Sequence, residues 1–419
     1  MHAIASVFTL LLGVVIILSG SGLLGTLLGV RGQVEGFSTA VLGLIMSGYF
    51  VGFVIGTFWI PRLIRQIGHI RVFAAMASLA SIATLLHGML VNPLAWFVLR
   101  MASGFFIVGL YIAIESWLNE RAGNEERGHI FSAYMTTTLI GLGIGQLLLM
   151  TGEIDNLKLF AMASVLLSLG LVPVAMTEVK EPQIVEASRL GLRKLYSISP
   201  LGVIACIFAG LGSGSFWSLG PVFAAAIGLD KSGVATFMAL TILGGIVMLW
   251  PVGRFSDGHE RRKVLAWACA FAAIGALSAA IAVDHGFIWV MLGGFAYGSF
   301  AFSIYSLAAA HTNDHLDRSH VLEVTSTLQL LWAVGAIVGP IVAGLLMQKL
   351  GPESLMFFIA GTALIPALFA YYRMTVSESL TLEQQGDFVP QFATSPAALE
   401  MHPEENDQEP EPTTEAEKP

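Results

Sequence analysis

Charged side chains are scarce in this chain. Asp, Glu, Lys and Arg make up 12% of its 419 residues, about half of their usual share of roughly 25% in soluble domains. Only two cysteines are present, Cys206 and Cys269, and both fall inside apolar segments. A disulfide framework is therefore not expected. The low charge argues against a soluble globular protein.

Several functional signatures are also missing. The sequence has no Walker phosphate loop, no dinucleotide-binding fingerprint in a soluble context and no converging nucleophile–base set. We therefore expect no enzyme, no cofactor and no metal site. Basic residues form no extended surface that would indicate nucleic-acid binding.

Acidic residues are concentrated at the C-terminus. The formal charge of the chain is −8, but the segment 375–419 contains eleven acidic residues and one lysine, so the remainder is slightly positive. This segment is rich in Pro, Glu and polar residues and has little apolar surface to bury. The sequence predicts a disordered, acidic cytoplasmic tail at 375–419.

Long hydrophobic runs dominate the rest. The chain is 55% hydrophobic with a mean hydropathy of +0.75, and a membrane helix needs about 20 apolar residues. Twelve segments meet or approach that length, near residues 4–29, 38–60, 72–92, 94–118, 131–150, 157–176, 200–227, 233–253, 264–283, 287–310, 323–348 and 354–372. We predict an all-α membrane protein with two six-helix bundles, 1–177 and 200–374, joined by a cytoplasmic linker at 178–199.

The basic residues predict the orientation, because cytoplasmic links of membrane proteins are enriched in Lys and Arg. With both termini in the cytoplasm, fifteen basic residues lie in cytoplasmic links and only four, Arg31, Lys158, Lys231 and Lys349, lie on the opposite side. Both termini are therefore expected in the cytoplasm.

The two halves repeat at an offset of 194 residues. Five pairs share this offset without gaps: Tyr111 and Tyr305, Asn119 and Asn313, Ser132 and Ser326, Gly141 and Gly335, and Gly145 and Gly339. Corresponding segments cross the membrane in the same direction, which predicts a pseudo-twofold axis along the membrane normal.

The link after the eighth segment carries the strongest motif. It reads Gly253-Arg-Phe-Ser-Asp257-Gly-His-Glu-Arg261-Arg262-Lys and resembles the signature loop of the major facilitator superfamily. The Arg100-x-x-x-Gly104 pattern is similar to one in the fourth helix of that superfamily. The segment Glu115–Arg121, together with Gly68-His-Ile-Arg, resembles the YcaD-like bacterial group of that superfamily.

The resemblance covers about residues 4–373 and implies a twelve-helix transporter whose first, fourth, seventh and tenth helices line a central cavity. It also implies a conformational latch formed by Gly253, Asp257, Arg261 and Arg262. The best candidates for solute binding in or beside the implied cavity are Ser21, Tyr111, Tyr134, Trp217, Tyr297, Tyr305 and Gln329. Their hydroxyl, amide and aromatic groups suit a neutral or amphipathic small molecule.

Two ionisable residues within the spans have two interpretations each. Arg100 is either a binding or coupling cation or a structural arginine that satisfies backbone carbonyls. Glu115 either takes part in proton coupling or orders the end of its helix. The two side chains lie about 22 Å apart along one helix and cannot pair directly.

Together these observations predict a secondary transporter of a small organic solute. It would act as a monomer in the bacterial inner membrane by alternating access, with proton coupling through Glu115 and Arg100 as a refinement. The alternative is a transporter-like receptor or partner-binding protein that acts through its acidic tail.

Overall fold

The computed structural model describes residues 2–121, 127–176, 190–316, 321–377, 380–386 and 388. Within these ranges the chain is helical and contains no strand. Its helices are α1 (His2–Val34), α2 (Thr39–Ile67), α3 (His69–Met89), α4 (Pro93–Arg121), α5 (Arg127–Leu148), α6 (Lys158–Leu169), α7 (Leu171–Ala175), α8 (Leu192–Ile198), α9 (Pro200–Ala226), α10 (Lys231–Asp257), α11 (Arg261–Ile281), α12 (Phe287–Asn313), α13 (Val321–Leu350) and α14 (Ser354–Val376).

Eleven of the described helices are long and apolar enough to cross a bilayer. The sixth crossing is shorter. It consists of α6 and α7, which Gly170 joins in a helical backbone conformation, and its apolar part Lys158–Val174 is about 25 Å long at 1.5 Å per residue. The predicted twelve-helix membrane fold is confirmed.

The packing of the helices reproduces the sequence repeat. In the N-terminal bundle α1 packs on α5 and α6, α2 packs on α4, and α3 packs on α4 and α6. The same pairs recur in the C-terminal bundle, where α9 packs on α13 and α14, α10 on α12, and α11 on α12 and α14. The bundles meet through α2 with α13, α5 with α10, and α1 with α9. A pseudo-twofold axis exchanges these pairs, as the parallel repeat predicts.

Close contacts between the bundles gather at one end of the molecule. The Thr39 hydroxyl donates a hydrogen bond to the Gly344 carbonyl at 3.0 Å, and the Gln33 amide donates to the Val222 carbonyl at 3.0 Å. Lys231 donates to the Gly152 carbonyl at 2.7 Å. These residues belong to the ends of α1, α2, α9, α10 and α13 and to the α5–α6 link, which together form what we call the closed end.

The C-terminal segment differs in part from the expected disordered tail. Helix α14 continues to Val376, and residues 380–386 and 388 are described. The Gly386 N–H donates to Asp314 at 3.1 Å and the Phe388 N–H donates to Asp257 at 2.7 Å. The predicted tail beyond residue 388 and the first part of the predicted linker, 178–189, lie outside the described residues. The described part of the linker contains α8.

Candidate functional site

A cavity of about 200 Å³ lies between the two bundles. Helices α1, α2, α4 and α5 contribute one half of its wall, and α9, α12 and α13 contribute the other half. It is lined by Ser21, Gly22, Gly25, Thr26, Tyr49, Phe50, Phe53, Arg100, Tyr111, Thr138, Leu139, Leu142, Gln146, Ala209, Ser213, Trp217, Ser218, Ala301, Phe302, Tyr305 and Trp332. A concave, mostly apolar site with a few polar groups is the usual setting for a small-molecule ligand.

Arg100 enters the cavity because α2 and α4 cross closely. A β-carbon at Gly104 would overlap the Tyr49 carbonyl, and a β-carbon at Gly52 would overlap the Met101 carbonyl. Two glycines at one crossing let the helix backbones touch. Arg100 lies one turn before Gly104, and its guanidinium carbon is 4.7 Å from the centroid of the Tyr49 ring. This is a cation–π distance.

The opposite wall is aromatic and comes largely from the C-terminal bundle. The rings of Trp217 and Phe302 are stacked with centroids 5.5 Å apart. The centroid of the Trp332 ring lies 5.9 Å from that of Phe50 in the other bundle and 6.5 Å from that of Tyr305. Flat apolar surfaces and one guanidinium, that of Arg100, therefore occur together among the described residues that line the cavity.

Some polar groups of the cavity are satisfied within the protein. The Thr26 hydroxyl donates to the Gln146 side-chain carbonyl, and the Gln146 amide donates to the backbone carbonyls of Gly22 at 3.3 Å and Leu142 at 3.2 Å. The Ser213 hydroxyl bonds back to its own helix. Gln146 thus ties α1 to α5 and has little hydrogen-bonding capacity left for a ligand.

The structure brings five of the predicted residues together at the cavity. Four come from the predicted solute-binding set and one from the predicted coupling pair. They are Ser21, Tyr111, Trp217, Tyr305 and Arg100.

The other half of the predicted coupling pair lies elsewhere. Glu115 is fully buried, and the Tyr134 hydroxyl donates to its carboxylate at 2.7 Å across the α4–α5 contact. Neither residue lines the central cavity. Tyr134, which was predicted to bind the solute, is thus the hydrogen-bond partner of Glu115.

Two more predicted ligands are buried outside the cavity. Tyr297 packs on Phe216 with ring centroids 5.3 Å apart, and it lines a small separate pocket. Gln329 is also buried, and its side-chain nitrogen has no hydrogen-bond partner among the described residues.

Sequence reasoning missed the aromatic residues that α2 adds to the cavity, Tyr49, Phe50 and Phe53. A signal for Tyr49 was present in Gly52, which packs against α4, because Tyr49 lies three residues earlier and shares its face of α2. Phe302 was missed as well, because an apolar residue in an apolar helix gives no signal of its own.

The predicted latch forms an ion-pair cluster at the end opposite the closed end. The Arg261 side chain is 2% exposed and forms a bidentate pair with Asp314 at 2.6 and 2.8 Å. Its contact with Asp257 is longer, at 3.4 Å. Burial raises the pKa of Asp314, although the charge of Arg261 and the Gly386 N–H oppose the shift. The stronger partner of Arg261 is thus Asp314, which the motif did not indicate.

The other latch residues hold the C-terminal segment. The Arg262 guanidinium donates to Glu260 at 2.9 Å and to the Ser377 carbonyl at 3.0 Å. A β-carbon at Gly253 would overlap the Phe388 ring. Residues just beyond α14 therefore cover the signature loop in this conformation.

Comparison with known proteins agrees with this architecture. The model of the Major Facilitator Superfamily matches residues 10–198 and 202–400. The chain belongs to the major facilitator superfamily. Its members are transporters, so the protein is a multi-pass membrane transporter with a small-molecule solute, and the carriers of this family are generally not enzymes.

Curated relatives support the finer resemblance. An uncharacterized MFS-type transporter, YcaD of Escherichia fergusonii, is 25% identical over 361 residues, which cover 86% of this chain and 93% of the relative. An uncharacterized MFS-type transporter of Enterobacter sp. (strain 638) is 25% identical over 368 residues, which again cover 86% of this chain and 93% of the relative. These bacterial relatives support an inner-membrane location.

Solved structures share the fold. The nucleoside transporter NupG aligns with a TM-score of 0.72 at 15% identity, covering 89% of this chain and 100% of NupG. An inward-facing bacterial homologue of the lysosomal transporter Spinster aligns with a TM-score of 0.68 at 14% identity, covering 90% of this chain and 97% of the homologue. At these identities the likeness concerns the fold alone.

Proposed function

We propose that the protein is a secondary transporter that moves a small organic solute by alternating access. The observation that carries the proposal is the position of the cavity. It lies at the interface of two pseudo-symmetric bundles, and the close contacts between those bundles gather at one end. Rocking of one bundle against the other would break these contacts and change the side from which the cavity is reached.

We further propose that the closed end faces the outside of the cell. The four basic residues assigned to that side by the charge bias, Arg31, Lys158, Lys231 and Lys349, lie at or beside the links of the closed end. In this orientation both termini lie in the cytoplasm, and the contacts of the closed end would separate the cavity from the outside.

A cross-link across the closed end tests alternating access. In a background with Cys206 and Cys269 replaced, cysteines at Glu153 and Lys231 should be joined by a short bifunctional methanethiosulfonate reagent, because the Lys231 Nζ and the Glu153 carboxylate are 3.3 Å apart across the closed end. This cross-link should abolish solute counterflow in proteoliposomes, and a reductant should restore it. Counterflow that continues in the fully cross-linked protein would contradict the mechanism.

A control cross-link lies within one bundle. The hydroxyl oxygens of Ser81 in α3 and Ser164 in α6 are 2.6 Å apart, so cysteines there should form a disulfide. This disulfide joins helices that move as one body in the proposed mechanism. Counterflow should therefore persist after oxidation of this pair.

Proton coupling through Glu115 is part of the proposal. The support is geometric: the Glu115 carboxylate is fully buried and accepts a hydrogen bond from the Tyr134 hydroxyl across the α4–α5 contact, and an uncompensated charge in such a place is costly. Arg100 is separate from this pair, since it lines the cavity and Glu115 does not. We therefore assign proton coupling to Glu115 and solute contact to Arg100.

A further inference from the structure

Arg100 provides the basis for a further inference, which rests on the proposed transport function. Among the described residues that line the cavity, it is the only one with a formal charge. The residue is 8% exposed. An ionised group in such a setting is costly unless an opposite charge or hydrogen-bond acceptors compensate it.

No such compensation comes from the described parts of the chain. Among the described residues, the buried Nε of Arg100 has no hydrogen-bond partner, and no acidic side chain forms an ion pair with its guanidinium. The face of the Tyr49 ring at 4.7 Å supplies a cation–π contact but accepts no N–H hydrogen bond in the plane of the guanidinium. A structural arginine would use its donors on backbone carbonyls, so the unused Nε favours a binding role.

The surroundings restrict the ligand further. A planar guanidinium matches a carboxylate through two parallel N–H···O bonds. One cation in the cavity wall balances one negative charge on the ligand, whereas a second negative charge on the ligand would be uncompensated. The stacked Trp217 and Phe302 rings and the Phe50–Trp332 contact offer flat apolar surfaces for the body of the ligand.

We propose that the solute is an amphipathic monocarboxylate, with its carboxylate on Arg100 and its aromatic or alkyl body between the aromatic walls. The ligand carboxylate then supplies the negative charge that no described residue places beside Arg100. Neutral analogues leave the guanidinium uncompensated, and cations are repelled by it.

Matched ligands test this on the unmodified protein. The probes are 3-phenylpropionate and hexanoate, their amides, 3-phenylpropylamine and the dicarboxylate phthalate. Thermal stabilisation of the purified protein reports binding, because a ligand that binds the folded state raises the midpoint. At least one monocarboxylate should raise the midpoint, with an apparent affinity at least about tenfold above that of its amide, of the amine and of the dicarboxylate.

Variants of the cation provide the second readout. Arg100→Gln should weaken carboxylate binding at least about tenfold, and Arg100→Lys should retain part of it. Arg62→Gln removes a charge from an exposed position and should change nothing. If Arg100→Gln does not fold, Arg100→Lys and the selectivity of the unmodified protein decide.

Three results would overturn the inference: equal binding of amide and carboxylate, unchanged binding in Arg100→Gln, or no binding of either monocarboxylate. Counterflow in proteoliposomes separates this inference from the transport proposal. A carboxylate that binds through Arg100 but never exchanges across the bilayer contradicts transport and leaves the ligand class standing. Equal exchange of amide and carboxylate contradicts the ligand class and supports transport.

Discussion

The α2–α4 crossing offers a sharp test of how the cavity is built. In Gly104→Ala the new β-carbon would overlap the Tyr49 carbonyl oxygen, and it would lie 2.8 Å from the Tyr49 carbonyl carbon and 3.0 Å from the Phe53 nitrogen. These are backbone atoms, which cannot rotate away as a flexible side chain can. The two helices must therefore move apart by roughly 1 Å to restore van der Waals contact.

The expected cost follows from overpacking. Inserting a methyl group into a close-packed contact costs about 1–3 kcal/mol, while replacing Gly by Ala in a helix interior gains up to about 1 kcal/mol from helix propensity. The matched control is Gly361→Ala in α14, where the new β-carbon meets no heavy atom within 4 Å. Propensity contributes similarly to both variants, so their difference of about 1–3 kcal/mol measures the clash.

The buried cysteines supply the assay. Cys206 and Cys269 are free and buried, so a thiol-reactive fluorophore reports the unfolding that exposes them. At one heating rate, Gly104→Ala should unfold well below Gly361→Ala and should bind monocarboxylates more weakly, because Tyr49 recedes from Arg100. Equal midpoints for the two variants would refute the close crossing as the determinant of the site.

Four further predictions follow from the same structure. Gly43→Ala places a β-carbon against the Pro340 carbonyl at the closed end, so labelling of a cavity cysteine from outside should rise severalfold, and an unchanged rate would contradict the gating role. Glu115→Gln keeps the shape of the side chain, and counterflow should continue while uptake loses its response to a pH gradient. Asp314→Asn should destabilise the protein by about 3–5 kcal/mol because it breaks a buried ion pair. Asp257→Asn should cost under about 1 kcal/mol, because the Asp257 side chain is 40% exposed and its contact with Arg261 is longer. Similar thermal midpoints of the two variants would contradict this ranking. Deleting residues 380–419 should leave counterflow intact, whereas its loss would favour the partner-binding alternative.

Much of the architecture follows from the sequence because a bilayer constrains it strongly. Backbone groups in lipid must be hydrogen-bonded within the segment, so apolar runs of sufficient length become helices. The 194-residue repeat then predicts equivalent bundles, and the structure shows equivalent helix pairs in both. Even the short sixth crossing was predicted, since its predicted span contains no charged residue after Lys158.

The site was predicted only in part, for a different reason. Membrane helices are apolar on most faces, so periodicity does not tell which face meets a cavity, a neighbour or lipid. Tyr111 and Trp217 face the cavity, whereas Tyr134 and Tyr297 are the same kinds of residue in similar helices and are buried elsewhere.

The sequence by itself determined that the chain crosses the membrane as two related halves, because hydropathy and internal repetition are local properties of the chain. Only the tertiary structure decided that no described residue supplies a counter-charge to Arg100 beside the aromatic rings of the cavity, and that Arg261 pairs chiefly with Asp314. These contacts depend on distances of a few ångströms between helices far apart in sequence, which close glycine packing determines and residue spacing along the chain does not encode.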